Sequence, residues 1–413
     1  MKKVSNNEAW EHIFTDLKIL DQVGKNNFFD ISATEIKKRD GKEARLMTKV
    51  DHRENLPIVM SNNGLSILAI KNGLYRIAKT DPFIDIQKVP LCNVEIISKP
   101  TDILSIDPLN LKSESSALDI AYISKMLDIV FDEQTELTIR GRLRGNLSFN
   151  LSGVPYNIDG VQIEVDGGYE GLNTLNLIEA KMGFRNNINI RQLLYPELFW
   201  KSQNISKHKK IQNYVFYYQD DIFRFIPFIY DYKSGNFYAD HHRERAFRFE
   251  RHSYFSLSHI KKSHEIMVND DISFPQADDF EKIHAIFLNI DNHDCPTKID
   301  IIGDFDISLT SRQHDYYFNV LRWLRVCVIN DDGCITLTGR GNKLLELNIE
   351  QRMEELSRII FSEPICFNVL HNLSQNDLDF KRYNINGSTI YRRLQTVRAW
   401  IKYFNNFFTK KLL

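Results

Sequence analysis

The sequence predicts an α/β chain, α+β when taken as a whole, built on a mixed sheet with helices before, within and after it. Three observations carry that expectation. Runs with period-two alternation gather between residues 137 and 230; apolar stripes at spacings of three and four precede and interrupt them; and helical patterning returns from about residue 274. At 413 residues the chain has length for about two to three domains. A 43% hydrophobic content against 26% charged excludes a disordered protein.

Residues 1–110 mix a short helix around Glu8–Leu20 with β-like runs at Leu65–Ile70 and Leu74–Ala78, which predicts an N-terminal α+β domain. Between them the charged stretch from Lys37 to Glu54 reads as a solvated loop or strand pair, or else as a DNA-facing surface through Arg45 and Lys49.

Residues 111–272 form the second predicted domain. Ser116 is placed to cap a helix whose Ile120, Ile123, Leu127 and Val130 make one apolar stripe. Strand patterns follow at Leu137–Leu143, Leu147–Leu151, Val161–Asp166, Leu175–Lys181, Tyr214–Tyr218 and Ile222–Tyr230. A helix at Ile190–Ser202, with Leu193, Leu194, Leu198 and Trp200, separates the fourth from the fifth. That order requires at least one antiparallel hairpin in the sheet.

Residues 273–413 turn helical at Ala277–Leu288, Lys298–Gly303 and Arg312–Val326, then carry two short β runs around Asn330–Gly333 ending in Ile335–Thr338. Three helices and a small hairpin is the winged-helix order, so a winged-helix-like DNA-binding region is expected. Thr310 and Gln313 fit a capping box, and Val320, Leu321 and Leu324 supply a buried stripe. If this helix enters a major groove, Arg312, Gln313 and Tyr316 reach base edges; packing between domains is the other reading. A last helix turns Ile390, Leu394, Val397 and Ile401 inward and leaves Arg392, Arg393, Arg398 and Lys402 for the surface, the first two as phosphate contacts. The chain has 53 Lys+Arg against 54 Asp+Glu, a net charge of −1, so no nucleic-acid partner is announced globally. From residue 310 onward, however, 15 basic residues face 10 acidic ones.

The five cysteines, Cys92, Cys295, Cys327, Cys334 and Cys366, form no CxxC pair, which predicts free thiols in a reducing compartment. Cys295, beside His293 and Asp294, lacks the partner spacing of a zinc site and reads as structural. The opening MKKVSNNEAWEHIF has no apolar signal core, and no run of about 18 apolar residues occurs. The expectation is a soluble cytoplasmic protein without a membrane partner. His241–Arg245 reads as a charged edge strand. The absence of P-loop, GxGxxG and GxSxG motifs removes support for nucleotide-driven translocation and serine-hydrolase chemistry.

The chemistry is concentrated in VQIEVDGGYEGLNTLNLIEAK, residues 161–181. Val161, Ile163 and Val165 share one strand face, which places Glu164 and Asp166 on the other. In the next strand Leu175, Leu177, Glu179 and Lys181 share a face that begins apolar and ends in a carboxylate and an ammonium. Half-buried charges two residues apart require compensation, and a metal ion with a polyanionic substrate supplies it. A loop from Gly167 to Thr174 lets the strands pair, bringing Asp166 and Glu179 within reach of one Mg²⁺. Lys181 could orient or deprotonate the attacking water for in-line phosphodiester hydrolysis.

These residues resemble the PD-(D/E)xK nuclease superfamily, with Asp166 as the first acid and Glu179-Ala180-Lys181 as the (D/E)xK element. No Pro precedes Asp166, a frequent departure in that motif. More specifically, the chain is similar to a group of type II restriction endonucleases in which several segments recur in order. They read here as Ser32-Ala33, Arg45–Asp51, Val161–Gly171, Ile178–Lys181, Arg191–Pro196, Phe274–Asp278, Ser311–Gln313 and Asp315–Tyr317. The resemblance implies a mixed-sheet PD-(D/E)xK core and Mg²⁺-dependent, sequence-specific cleavage of double-stranded DNA. It implies metal ligation by Asp166, Glu179, Ala180 and Glu164, and a companion DNA methyltransferase; a homodimer is compatible with it. Glu164 is otherwise a strand-face carboxylate, and Gln192 either positions water near the scissile phosphate or lies on the helix surface. Glu170 reads as a solvated loop acid and Glu114 as a candidate supporting acid. Two other functions use the same features: a catalytically idle winged-helix DNA-binding regulator, and a repair or RNA nuclease of low sequence specificity.

Overall fold

The computed structural model describes residues 6–40, 43–87, 93–101, 103–183, 185–231, 235–250, 255–263, 265–292, 295–304, 311–372, 380–383 and 385–409. The chain divides into two compact units. Met1–Glu95, Ala121–Tyr218 and Phe223–Phe247 make the first; Ile96–Ile120, Gln219–Ile222 and Arg248–Leu413 make the second. The architecture is mixed α/β with one large mixed sheet, as the alternating runs predict.

The strands in chain order are β1 (Phe28–Ser32), β2 (Ser66–Lys71), β3 (Leu74–Ala78), β4 (Phe83–Asp85), β5 (Glu95–Ile97), β6 (Glu136–Leu151), β7 (Val154–Glu170), β8 (Thr174–Met182), β9 (Asn187–Asn189), β10 (Lys210–Gln219), β11 (Ile222–Asp231), β12 (Asn236–Ala239) and β13 (Arg245–Phe249). The large sheet runs β1-β3-β2-β7-β8-β10-β11-β13-β5, with β6 beside β7 and β12 beside β11; β4 and β9 pair separately. β7 is antiparallel to β6 and β8, whereas β8 is parallel to β10. The helix Arg191–Ser202 is the crossover that a parallel pair requires. It lays Leu193, Leu194 and Tyr195 into one core with Ile163, Val165, Leu175 and Leu177.

The β6–β7 hairpin is longer than the sequence pattern indicates. The pattern predicts two separate runs where β6 is continuous, because Gly145 and Asn146 stay in the strand. A Cβ at Gly145 would stand 2.5 Å from the Phe199 ring, so glycine permits the helix to approach β6. The hairpin turns at Ser152 and Gly153, both at positive φ (51° and 83°), the two-residue geometry that suits twisted strands.

Several expectations need correction. The stretch from Lys37 to Glu54 is in large part helical among the described residues rather than a solvated loop or strand pair: helices span Ala33–Asp40 and Ala44–Thr48, anchored by buried Ile36, Ala44 and Met47. Those apolar anchors are too sparse among charges to register as periodic. The N-terminal helix is two helices, Asn6–Asp16 and Ile19–Asn26, broken at left-handed Lys18. The helix opening the central region likewise breaks at left-handed Lys125, and Ile123 falls off the buried stripe at 38% exposure. Ser113 rather than Ser116 caps it, since the Ser116 N–H donates to Ser113 Oγ at 3.2 Å.

In the second unit, helices Phe280–Asn289, Lys298–Asp304 and Ser311–Trp323 precede the hairpin of β14 (Cys327–Ile329) and β15 (Ile335–Leu337). Val320, Leu321 and Leu324 are buried as their spacing predicts. The C-terminal helix Ser388–Thr409 buries Leu394 and Val397, with Trp400 reaching Trp323. Thr310 of the expected capping box lies outside the described residues, as do Cys92, His293 and Asp294. The free-thiol expectation fails for one pair: Cys295 and Cys334 are joined by a disulfide, their Cα atoms 5.0 Å apart. Tertiary packing makes that pair, because the Ile335 N–H donates to Pro296 O and brings two distant segments together. Among the described residues no helix is long and apolar enough to cross a membrane.

Candidate active site

β7 and β8 pair from Glu170↔Leu175 to Gly167↔Ile178, and there the ladder stops. One further step of that register would set Asp166 opposite Glu179. The Ala180 N–H instead donates to Asp166 Oδ2 at 2.8 Å, so a carboxylate stands where the next backbone rung would be. An irregularity in β7 accompanies the change, since its pairing with β6 jumps from Gly141↔Val165 to Ile139↔Gly168. β8 continues past this point alongside β10, with Glu179 beside Val215 and Lys181 beside Tyr217. One flank of the acid-bearing strand end is therefore held rigidly while the other parts from its neighbour.

Glu179 and Lys181 side chains are 9% and 12% exposed and meet at 2.6 Å between Lys181 Nζ and Glu179 Oε1. Gln192, in the first turn of the helix Arg191–Ser202, donates Nε2 to the same oxygen, while its Oε1 accepts the Asn189 N–H at 3.3 Å. Burial pushes the Asp166 carboxyl above its ordinary range; Lys181 and the Ala180 N–H pull the other way. The four residues expected to do chemistry, Asp166, Glu179, Lys181 and Gln192, thus form one constellation.

Glu164 stands apart from these hydrogen bonds. It lines the same small crevice as Glu179, Gln192 and Asn213, but its carboxylate accepts from Arg142 Nε at 3.2 Å on the exposed side of β7. The irregularity after Val165 is the reason that a simple period-two count does not carry Glu164 along with Asp166. Glu170 is paired with Lys209 at 2.6 Å, and Glu114 opens the helix Glu114–Ile123.

Two residues that the resemblance includes without a role, the last of Arg45–Asp51 and the first of Arg191–Pro196, join the constellation. The Arg191 guanidinium bonds Asp51, and Lys49 Nζ stands 3.8 Å from the same carboxylate. Burial works against ionisation of Asp51, but Arg191, with Lys49 and Lys181 adding, holds its carboxyl below the ordinary value. The segment carrying Asp51 is strapped to the start of that helix: His52 Nδ1 meets Asn187 O at 2.6 Å, the Arg53 N–H donates to Asn187 Oδ1 at 2.8 Å, and Asn189 Nδ2 donates to Val50 O at 2.9 Å. The signal in the sequence was the polar run Asn186-Asn187-Ile188-Asn189, rich in groups that bond backbone.

The DNA-contact candidates are placed as follows. Arg45 is exposed on the helix Ala44–Thr48, and Lys49 is exposed beside Asp51. Gln313 is exposed on the helix Ser311–Trp323, whereas Tyr316 is half-buried against the core of the second unit. The side chain of Arg312 lies outside the described residues. Arg392 is exposed; Arg393 is half-buried, and burial together with the neighbouring Arg392 charge lowers its guanidinium pKa.

Three family profiles match parts of the chain, each described as a domain of unknown function: DUF6996 over residues 7–77, DUF6997 over residues 78–250 and DUF7226 over residues 288–409. The second covers Asp166, Glu179, Lys181 and Gln192, and the first covers Asp51. No curated protein and no solved structure matches the chain.

Proposed function

We propose that this chain is a Mg²⁺-dependent endonuclease of the PD-(D/E)xK type, hydrolysing phosphodiester bonds of double-stranded DNA at specific sequences as type II restriction endonucleases do. The convergence of Asp166, Glu179 and Lys181 where β7 and β8 part carries the reading. The element order supports it: a helix, three antiparallel strands β6-β7-β8, a crossover helix, and β10 returning parallel to β8. In the second unit, three helices followed by the β14–β15 hairpin support a winged-helix-like reader of DNA sequence. A companion methyltransferase would protect the host's own sites, in the cytoplasm where both act.

The donor set fits Mg²⁺. Asp166 and Glu179 offer hard carboxylate oxygens, and the burial that disfavours an ionised Asp166 is a cost that a bound cation removes. Among the described residues no three His, Cys, Asp or Glu side chains converge on one point, so the ligands would be these two carboxylates with the Ala180 main chain. When bound, Mg²⁺ supplies Lewis-acid stabilisation of phosphoryl charge and a more acidic water. Lys181 sets an ammonium beside Glu179 to orient the attacking water and to offset charge developing on the phosphoryl oxygens. Gln192 fixes the Glu179 carboxylate through its amide, and Asp51 fixes the Arg191 guanidinium at the start of the same helix.

The test is incubation of the protein with unmethylated DNA and Mg²⁺, followed by sequencing of fragment ends. Discrete, recurrent end sequences are expected. Random ends would replace this reading with a repair-type nuclease, and intact DNA would favour the idle regulator.

A further inference from the structure

β6 carries Arg140, Arg142 and Arg144 at alternate positions, all three exposed. The strand period places Arg142 and Arg144 about 6.8 Å apart on one face, and Arg140 lies just beyond Gly141, whose φ of 106° marks the irregularity in the pairing with β7. β6 pairs only with β7 among the described strands, so the row lies along a sheet edge. Register sets Arg142 opposite Glu164, which lines the same crevice as Glu179 and Gln192, and Arg144 opposite Gln162. We propose that this arginine row binds the phosphodiester backbone of duplex DNA and leads it to Asp166 and Glu179. The inference rests on the nuclease reading and names the surface that reading requires.

Charge is the argument. A phosphodiester approaching two carboxylates is repelled unless cations line its path, and the row supplies them beside the acids. Protection of a sheet edge is satisfied by charge of either sign, so it does not require three like charges in succession. The Arg142–Glu164 pair, with side chains 61% and 58% exposed, is the kind that contributes little to stability, so Arg142 exchanges its partner for phosphate at small cost.

The test measures binding without cleavage. Fluorescence anisotropy of a labelled duplex, in EDTA and over a range of NaCl concentrations, compares the wild type with the triple variants R140Q/R142Q/R144Q and R140K/R142K/R144K. Each arginine–phosphate pairing that is removed should lower the slope of log affinity against log salt by about 0.9, so the Gln triple should fall by between two and three units while the Lys triple keeps the wild-type slope. Equal melting temperatures of the variants confirm that folding is unaffected; if the Gln triple does not fold, R144Q alone is read for a decrease of about one unit. A Gln triple with wild-type affinity and slope overturns the proposal, and it then assigns the arginines to neutralising Glu164 and Asp166. A wild type that binds RNA but not duplex DNA overturns the choice of partner. Cleavage in Mg²⁺ is scored separately. Duplex binding through β6 without cutting would fail the nuclease reading alone, and cutting with unaltered binding by the Gln triple would fail this inference alone.

Discussion

Removing the Glu179 side chain affects folding and chemistry together, and the structure lets the two be separated. Glu179→Ala deletes the acceptor of two donors, Lys181 Nζ at 2.6 Å and Gln192 Nε2. Breaking a buried ion pair outright costs about 3–5 kcal/mol, and the abandoned amide adds about 1 kcal/mol, but the Asp166 and Asp51 carboxylates, which already meet the Lys181 charge, lower the first figure. Lys181 retains 12% exposure and a flexible stem that turns toward water, which brings the expected loss down to about 3 kcal/mol. Set against a total stability of about 5–15 kcal/mol, that loss would confuse inactivity with unfolding. Glu179→Gln keeps the volume and one acceptor, so about 1 kcal/mol should be lost in urea unfolding. Cleavage, by contrast, should fall about a thousandfold, because a charged ligand worth several kcal/mol at the transition state is gone. Combining Glu179→Gln with Lys181→Met closes a double-mutant cycle, in which a coupling of about 1–3 kcal/mol is expected. Plasmid cleavage by Glu179→Gln at the wild-type rate would falsify the catalytic assignment. An Ala variant as stable as the wild type would refute the buried ion pair.

Four other perturbations have definite signs. Asp166 titrates above its ordinary 3.8 in the folded chain, so its contribution to stability is present below that value and is lost as pH rises through the folded one. Asp166→Asn should therefore raise the metal-free melting temperature at pH 7 while abolishing both cleavage and the stabilisation by Mg²⁺; a lower metal-free melting temperature would contradict this. Asp51 has the opposite sign: its carboxyl is held low, so stability is present above the ordinary value and is lost as pH falls through the folded one. Asp51→Asn should cost about 2 kcal/mol at pH 7 and progressively less toward pH 3 in urea titrations, and a pH-independent difference would show that the Arg191 pair is not its cause. Reducing Cys295–Cys334, 39 residues apart, should destabilise the second unit by about 4 kcal/mol on a chain-entropy basis; identical melting with and without dithiothreitol would remove the disulfide from the account. Gly341→Ala should cost about 2 kcal/mol by calorimetry, since the added Cβ would overlap the Val326 carbonyl, and a neutral outcome would mean the backbone there gives way easily.

The acid-bearing strands were legible because their signals are local. Val161, Ile163 and Val165 alternate with polar residues, and β8 ends its apolar face on Glu179 and Lys181; both patterns need only the period of a strand. The helix Arg191–Ser202 was equally plain from its apolar residues. The helices between Ala33 and Thr48 were not, because three buried apolar anchors among many charges leave little periodicity to detect. The break at Lys125 was invisible for a different reason: a left-handed lysine has no compositional mark, unlike a glycine.

From its residues alone, then, the chain specified a mixed α/β architecture, the two strands that carry Asp166 and Glu179, and the lysine that follows the second acid. Those features depend on neighbours a few positions away, which the backbone period brings together whatever the rest does. Only the folded chain decided that the β7–β8 ladder ends at Gly167, that Asp166 turns to the Ala180 N–H while Glu164 goes to Arg142, and that Asp51 arrives from more than a hundred residues away to hold Arg191. It also decided that Cys295 meets Cys334. Pairings of that kind arise where packing closes long loops and buried polar groups must find partners, and spacing along the chain encodes neither.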